Sequence, residues 1–272
     1  MNLLDSQFKL RPISQDEQET QKYNILTRGF DVIPNFLPLP LCSKLCNKLQ
    51  SAVSEFSPVP NSARSHLDRH QLHDLITYDL DFAGLLEDAR LQPLIGNFLG
   101  KSWIMYAATS SSIPPNGTNY SNRIHIDSPR FQLGYAFNLG VIWVLSDYTE
   151  DNGALEVLPG SHHVEDSPSE SHFNNNAQKV ICKAGSLITF HARLWHRTGA
   201  NRSDAWRHSM TMNCCRSFMK QRMDWVHFVK PEISSQLNEQ ARRLIGFDTR
   251  LPKTLEEFFV PEDQRLYKAN QG

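Results

Sequence analysis

From residue 102 onward the sequence breaks into short β-rich runs, each closed by a turn signal. The runs cover 102–109, 123–127, 133–146, 154–158, 179–183, 186–190, 193–198 and 206–215. Between them stand Pro114–Pro115, Asn152–Gly153, Pro159–Gly160, Ala184–Gly185 and Gly199–Ala200–Asn201. Gly and Asn tolerate the turn conformations that other residues resist, and Pro cannot continue a ladder. Many short strands at this spacing predict a jelly roll or barrel.

The flanks read differently. Residues 1–20 are polar and are expected to form a loose arm. Residues 28–33 read as a short strand stopped by Pro34. Leu41, Leu45, Leu49 and Val53 recur every four residues, which predicts a helix over 39–56 with one apolar face. Residues 57–65 look like a loop. A second helical stretch is expected over 82–99, ended by Gly100 and broken in two by Pro93. A further helix is expected at 231–244, followed by a charged tail. The segment 162–178 is polar and turn-rich, and reads either as a mobile lid or as an inert surface excursion.

The charge balance narrows the function classes. Lys and Arg number 28 against 29 Asp and Glu, with no long basic run. A general binder of nucleic acid or anionic membrane carries a basic excess, so neither partner is expected. No apolar stretch approaches the roughly 18–20 residues that a membrane helix needs, and the N-terminus lacks the build of a signal peptide. The five cysteines, Cys42, Cys46, Cys182, Cys214 and Cys215, are odd in number and form no C-x-x-C pair. A reduced, cytoplasmic protein acting on a small molecule is the expectation.

His125–Ile126–Asp127 is the most informative tripeptide. In a strand, residues i and i+2 point to one face, so His125 and Asp127 can aim at one point. Imidazole plus carboxylate is two thirds of the facial triad that holds non-haem Fe(II). The same tripeptide also suits a plain hydrogen-bonded pair at a strand end. His196 stands near the end of a late strand, and His191 competes with it as a third ligand. Farther on, Arg207, Ser209, Thr211 and Asn213 share one face of an alternating run, opposite Trp206, His208, Met210 and Met212. Such a strand can line a polar cavity. A buried Arg there needs an anion, because an unpaired buried charge is expensive, and its planar fork suits a carboxylate.

Taken together, these residues resemble the phytanoyl-CoA dioxygenase family of Fe(II)/2-oxoglutarate oxygenases. The resemblance begins at Gly29–Phe30–Asp31–Val32–Ile33 and is densest from 123 to 213. The run from Thr149 to His162 (TEDNGALEVLPGSH) is similar to the family's signature turn and strand. His196, Gly199, Asn201 and Arg207 are similar to its second signature, and the spacing from His196 to Arg207 favours His196 over His191.

The resemblance implies a double-stranded β-helix, a cupin-like jelly roll that is mainly β with flanking α-helices. It implies one domain over 1–272: an arm and buttressing helices over 1–100, the jelly-roll core over 101–218, and a C-terminal helix and tail over 219–272. It implies His125, Asp127 and His196 as iron ligands, and Arg207, Ser209 and Trp143 as contacts of 2-oxoglutarate. It assigns no residue to the upstream lysine that some members place on that cosubstrate. Arg123, Arg130 and His162 are candidate substrate contacts.

The implied reaction takes Fe(II), 2-oxoglutarate and O2, releases succinate and CO2, and hydroxylates an unactivated C–H bond of a small polar metabolite. A tailoring step on an alkaloid or amino-acid-derived natural product is the leading expectation. The carboxylate of Asp127 argues against halogenation. Two rivals remain. One is the same iron site performing desaturation, cyclisation, epoxidation or demethylation. The other is a jelly-roll protein that binds metal and oxoacid without turnover. A zinc site on His66 and His70, near His73 and Asp68, is a distant third.

Overall fold

The computed structural model describes residues 8–55 and 70–265. Among the described residues, eight strands make two sheets: β1 (Phe30–Ile33), β2 (Ile104–Ile113), β3 (Asn138–Val144), β4 (Leu155–Val157), β5 (Gln178–Lys179), β6 (Leu187–His191), β7 (His196–Thr198) and β8 (Arg207–Cys215). The larger sheet has the order β1-β6-β3-β8-β2 and the smaller the order β5-β4-β7. All pairings are antiparallel. Strands that neighbour each other in space come from distant parts of the chain, as a jelly roll requires.

The large sheet has two buried faces. Leu139, Val141, Trp143, Leu187, Met210, Met212 and Cys214 belong to a core shared with the helices. Ile142, Val144, Ile188 and Phe190 belong to a second core, which holds Leu155 and Val157 of the small sheet. Burial on both faces explains why β3 reads as a continuous apolar run rather than an alternating one.

The helix Leu39–Glu55 buries Leu41, Leu45, Leu49 and Val53, the stripe that its four-residue spacing predicts. Three expectations are corrected. Residues 15–20 are not a loose arm but the start of a helix over Gln15–Arg28. Ser14 and Glu17 form a capping box there, and Gly29 closes the helix at φ 88°. Pro93 does not break the second stretch. It sits in the first turn of Leu91–Leu99, where no intrahelical N–H is lost; the break falls earlier, after Leu85–Glu87. The stretch 231–244 divides into Pro231–Ser234 and Glu239–Ile245. The loop 57–65, and His66 and Asp68, lie outside the described residues. Among the described residues no helix is long and apolar enough to cross a membrane.

Near its start, β2 carries a bulge. The β2–β8 register shifts between Met105 and Ala107, so Tyr106 drops out of the ladder. Its carbonyl instead accepts the backbone N–H of Arg222 at 3.1 Å and the indole N–H of Trp225 at 3.1 Å. The chain after β8 is thereby folded back across β2.

Candidate active site

His125 is not inside a regular strand. It forms an isolated bridge with His196, each backbone N–H donating to the other's carbonyl at 2.9 and 3.0 Å. Asp127 N–H is held separately by the carbonyl of Ala192 at 2.8 Å. The local chain is extended enough for His125 and Asp127 to share a face, and the bridge sets His196 directly opposite. Asp127 Oδ1 lies 3.7 Å from His125 Nε2 and 3.9 Å from His196 Nε2. One donor atom from each of the three residues falls within 4.8 Å of the others.

Both imidazoles are locked in the same way. His125 Nδ1 is 2.8 Å from the Arg123 carbonyl, and His196 Nδ1 is 2.8 Å from the Leu194 carbonyl. A carbonyl only accepts, so each Nδ1 carries a proton and Nε2 is the ring atom turned toward Asp127. Burial and the neighbouring His196 push His125 down to about 4, so it is neutral at physiological pH. Asp127 Oδ2 accepts from Asn213 at 3.3 Å, and the Asn213 carbonyl oxygen accepts from Asn138 at 2.9 Å. A short amide chain from β3 and β8 thus orients the carboxylate. Phe190 meets His196 edge-on at 5.0 Å.

Arg207 lies at the start of β8 and is 1% exposed. Its Nη1 donates to Tyr148 Oη at 2.8 Å and Ser209 Oγ at 3.0 Å, and its Nη2 donates to the Gly153 carbonyl at 3.1 Å. Gly153, at φ 83°, permits that approach: a Cβ would stand 2.8 Å from the Gly199 carbonyl. Nε is buried without a partner. No carboxylate among the described residues neutralises this guanidinium, and burial pushes its pKa down. A bound anion would stabilise a buried guanidinium of this kind.

The two parts share one cavity of about 270 Å³, which includes His125, Asp127, His196, Arg207, Ser209 and Arg123 in its lining. Not every expected residue reaches it. Trp143 is fully buried on the opposite face of β3, paired with Met210 in the helix-side core, while Ile142 takes the cavity side. The strand's period of two decides this, and a run that is apolar on both faces hides its parity. Arg130 is exposed and outside the lining. His162 is buried elsewhere, in a separate cavity with His163 and His191. The segment 162–178 contributes nothing to the site cavity. It contains a helix, Glu170–Asn176, whose Phe173 is buried beneath Arg197.

The phytanoyl-CoA dioxygenase (PhyH) family pattern matches residues 26–209. The chain belongs to this family. Among curated relatives, uncharacterized protein Rv1501 of Mycobacterium tuberculosis is 31% identical over 203 residues, covering 73% of this chain and 74% of the relative. The dioxygenase sphC of Aspergillus fumigatus is 24% identical over 57% of this chain and 43% of its own length. Two solved structures share the fold. EctD from S. alaskensis, solved with 2-oxoglutarate and 5-hydroxyectoine, has a TM-score of 0.61 at 17% identity, covering 76% of this chain and 78% of that one. The epimerase SnoN, solved with Fe3+, alpha ketoglutarate and nogalamycin RO, has a TM-score of 0.59 at 16% identity, covering 74% and 84%.

For a member of the phytanoyl-CoA dioxygenase family, several lining residues escape a sequence reading. Tyr148 braces Arg207 from the turn after β3. Thr109 and Ser111 of β2 line the wall, and no lysine of the described residues does. The polar run Thr109–Ser110–Ser111–Ser112 inside a strand was the available signal. Gln71 and Arg222 come from segments with no motif of their own, while His73 belongs to the histidine cluster noted beside His66 and His70.

Proposed function

We propose that this chain is an Fe(II)/2-oxoglutarate-dependent oxygenase that hydroxylates an unactivated C–H bond of a small molecule. One observation carries the reading: two imidazoles tied through Nδ1 to backbone carbonyls, one oriented carboxylate close to both Nε2 atoms, and one buried guanidinium that no described carboxylate neutralises share a single cavity. His125, Asp127 and His196 would hold Fe(II), since this donor set on one side leaves positions open. Arg207, with Ser209 and Tyr148, would hold the distal carboxylate of 2-oxoglutarate. When bound, the iron would supply the oxygen chemistry: 2-oxoglutarate leaves as succinate and CO2, one atom of O2 going into succinate and the other into the substrate's new hydroxyl.

The chain's own residues do the positioning. The Arg123 and Leu194 carbonyls fix the imidazole tautomers. Asn213 holds Asp127 against rotation, and Phe190 and Leu155 present apolar side chains to the cavity beside the ligands. Fungal relatives named as dioxygenases support the oxygenase reading, and the fold shared with SnoN, from nogalamycin biosynthesis, favours a tailoring role on a natural product.

The test is anaerobic addition of Fe(II) and 2-oxoglutarate to the purified protein. A visible charge-transfer absorption should require both additions and vanish in Asp127→Ala. Absorption that persists in Asp127→Ala, or absence of any band in folded wild-type protein, would reject the assignment. With a substrate in hand, a product heavier by one oxygen separates hydroxylation from desaturation or ring closure.

A further inference from the structure

A second cavity of about 180 Å³ opens from the first and shares His73, Thr109 and Arg222 with it. Its remaining lining is Ala107, Ala108, Met223 and Trp225, an apolar floor. Charge is distributed unevenly over the two cavities. Asp127 is the sole acid among their described lining residues, against Arg123, Arg207 and Arg222. In the proposed complex, a divalent iron and Arg207 balance Asp127 and the two carboxylates of 2-oxoglutarate. Arg123 and Arg222 are left over.

Among the described residues, neither of these two is paired with a carboxylate. The Arg222 guanidinium is exposed and makes no hydrogen bond or ion pair among the described residues. Arg123 lies over the Tyr120 ring at 4.3 Å and has no carboxylate partner among the described residues. Yet both are placed by fixed backbone. The Arg123 carbonyl is tied to His125 Nδ1. The Arg222 N–H is tied to the Tyr106 carbonyl freed by the β2 bulge, and the flanking Gln221 amide donates to the Met105 carbonyl at 2.6 Å. Unpaired cations held at the mouth of a cavity attract anions.

We propose that the molecule oxidised here carries a compact apolar body and one anionic group. The body rests on Ala107, Ala108, Met223 and Trp225, and Arg222, assisted by Arg123, binds the anion. This rests on the inner cavity being the iron and 2-oxoglutarate site, and it makes Arg222 a specificity residue.

Phenylacetate and phenylacetamide are suitable probes, equal in size and differing in charge. Calorimetric titration would use full-length protein first loaded with Mn(II) and 2-oxoglutarate, whose binding is recorded in the same samples. Phenylacetate should bind at least roughly tenfold more tightly than the amide, and Arg222→Gln or Arg123→Gln should each weaken it by roughly fivefold, the upper range for an exposed pair. The double variant should bind acid and amide alike while retaining Mn(II) and 2-oxoglutarate. Equal binding of the two probes to wild type, no binding of either, or an acid preference that survives the double substitution would overturn the proposal. Loss of Mn(II) and 2-oxoglutarate binding with the arginine-dependent acid preference intact would instead locate the failure in the proposed function.

Discussion

At the scale of single residues, the site separates into groups with different energetic roles. Arg207 is the clearest. Its charge is buried, its Nη atoms are engaged by neutral oxygens, and its Nε is unpartnered. Arg207→Ala should cost 2-oxoglutarate binding about 2–5 kcal/mol, the range for truncating one partner of a buried charge pair. Metal binding should persist, because no ligand touches Arg207. Calorimetry with Mn(II) and then 2-oxoglutarate reads both quantities, and unchanged 2-oxoglutarate affinity would remove Arg207 from the cosubstrate site. This residue was legible in the sequence, since an Arg inside an alternating strand cannot hide. So was the His125–Asp127 pair, whose spacing of two suits any extended backbone. Tyr148 was not, because its role depends on the turn that carries it back to Arg207.

At the scale of elements, β3 and β6 show how packing reaches the proposed metal ligands. Gly140 of β3 faces Phe190 of β6 so closely that a Cβ would stand 2.1 Å from the ring. Phe190 in turn meets His196 edge-on. Gly140→Ala should therefore drive the ring toward His196 and weaken metal binding, at an overpacking cost of about 1–3 kcal/mol in stability. A metal titration alongside a urea melt checks this. The pairing of Gly140→Ala with Phe190→Leu should restore both, and failure to do so would discount the steric route. Sequence patterning recovered the strands but not the parity of β3. When both faces are buried, polarity no longer marks which side a residue takes, and Trp143 fell on the wrong one. It likewise missed the capping box at Ser14, where local hydrogen bonding overrides a polar composition.

At the scale of the whole molecule, buried histidines tie stability to pH. Burial pushes His162 and His208 down to about 4 and His191 to about 3, from an ordinary 6.5. His208 is fixed between Ser112 and Gln50 at 2.9 and 3.0 Å. On acidification the unfolded chain takes up these protons near pH 6.5, whereas the folded chain does so only near pH 4 or 3. The unfolded state therefore binds more protons in that window, and stability falls as pH falls through it, with little change above pH 7. By pH 5 each histidine should remove on the order of 1–2 kcal/mol. Urea midpoints at pH 7.5 and pH 5 measure the loss, and identical midpoints would refute it. The jelly roll itself was legible from turn spacing. The return of the chain after β8 was not, because nothing in 216–225 announces a partner in the β2 bulge.

That return bears on how such a protein diversifies. The family's shared pattern stops at residue 209, whereas Arg222, Met223 and Trp225 arrive afterwards, anchored through main-chain atoms of Tyr106 and, at Gln221, of Met105. The Arg222 anchor is main chain on both sides and accepts almost any residue there, whereas Gln221 and Trp225 donate from their side chains and have to be kept. The outer wall can be rewritten without disturbing the ligands within, so this short stretch is the natural unit to graft when redirecting the scaffold to new molecules.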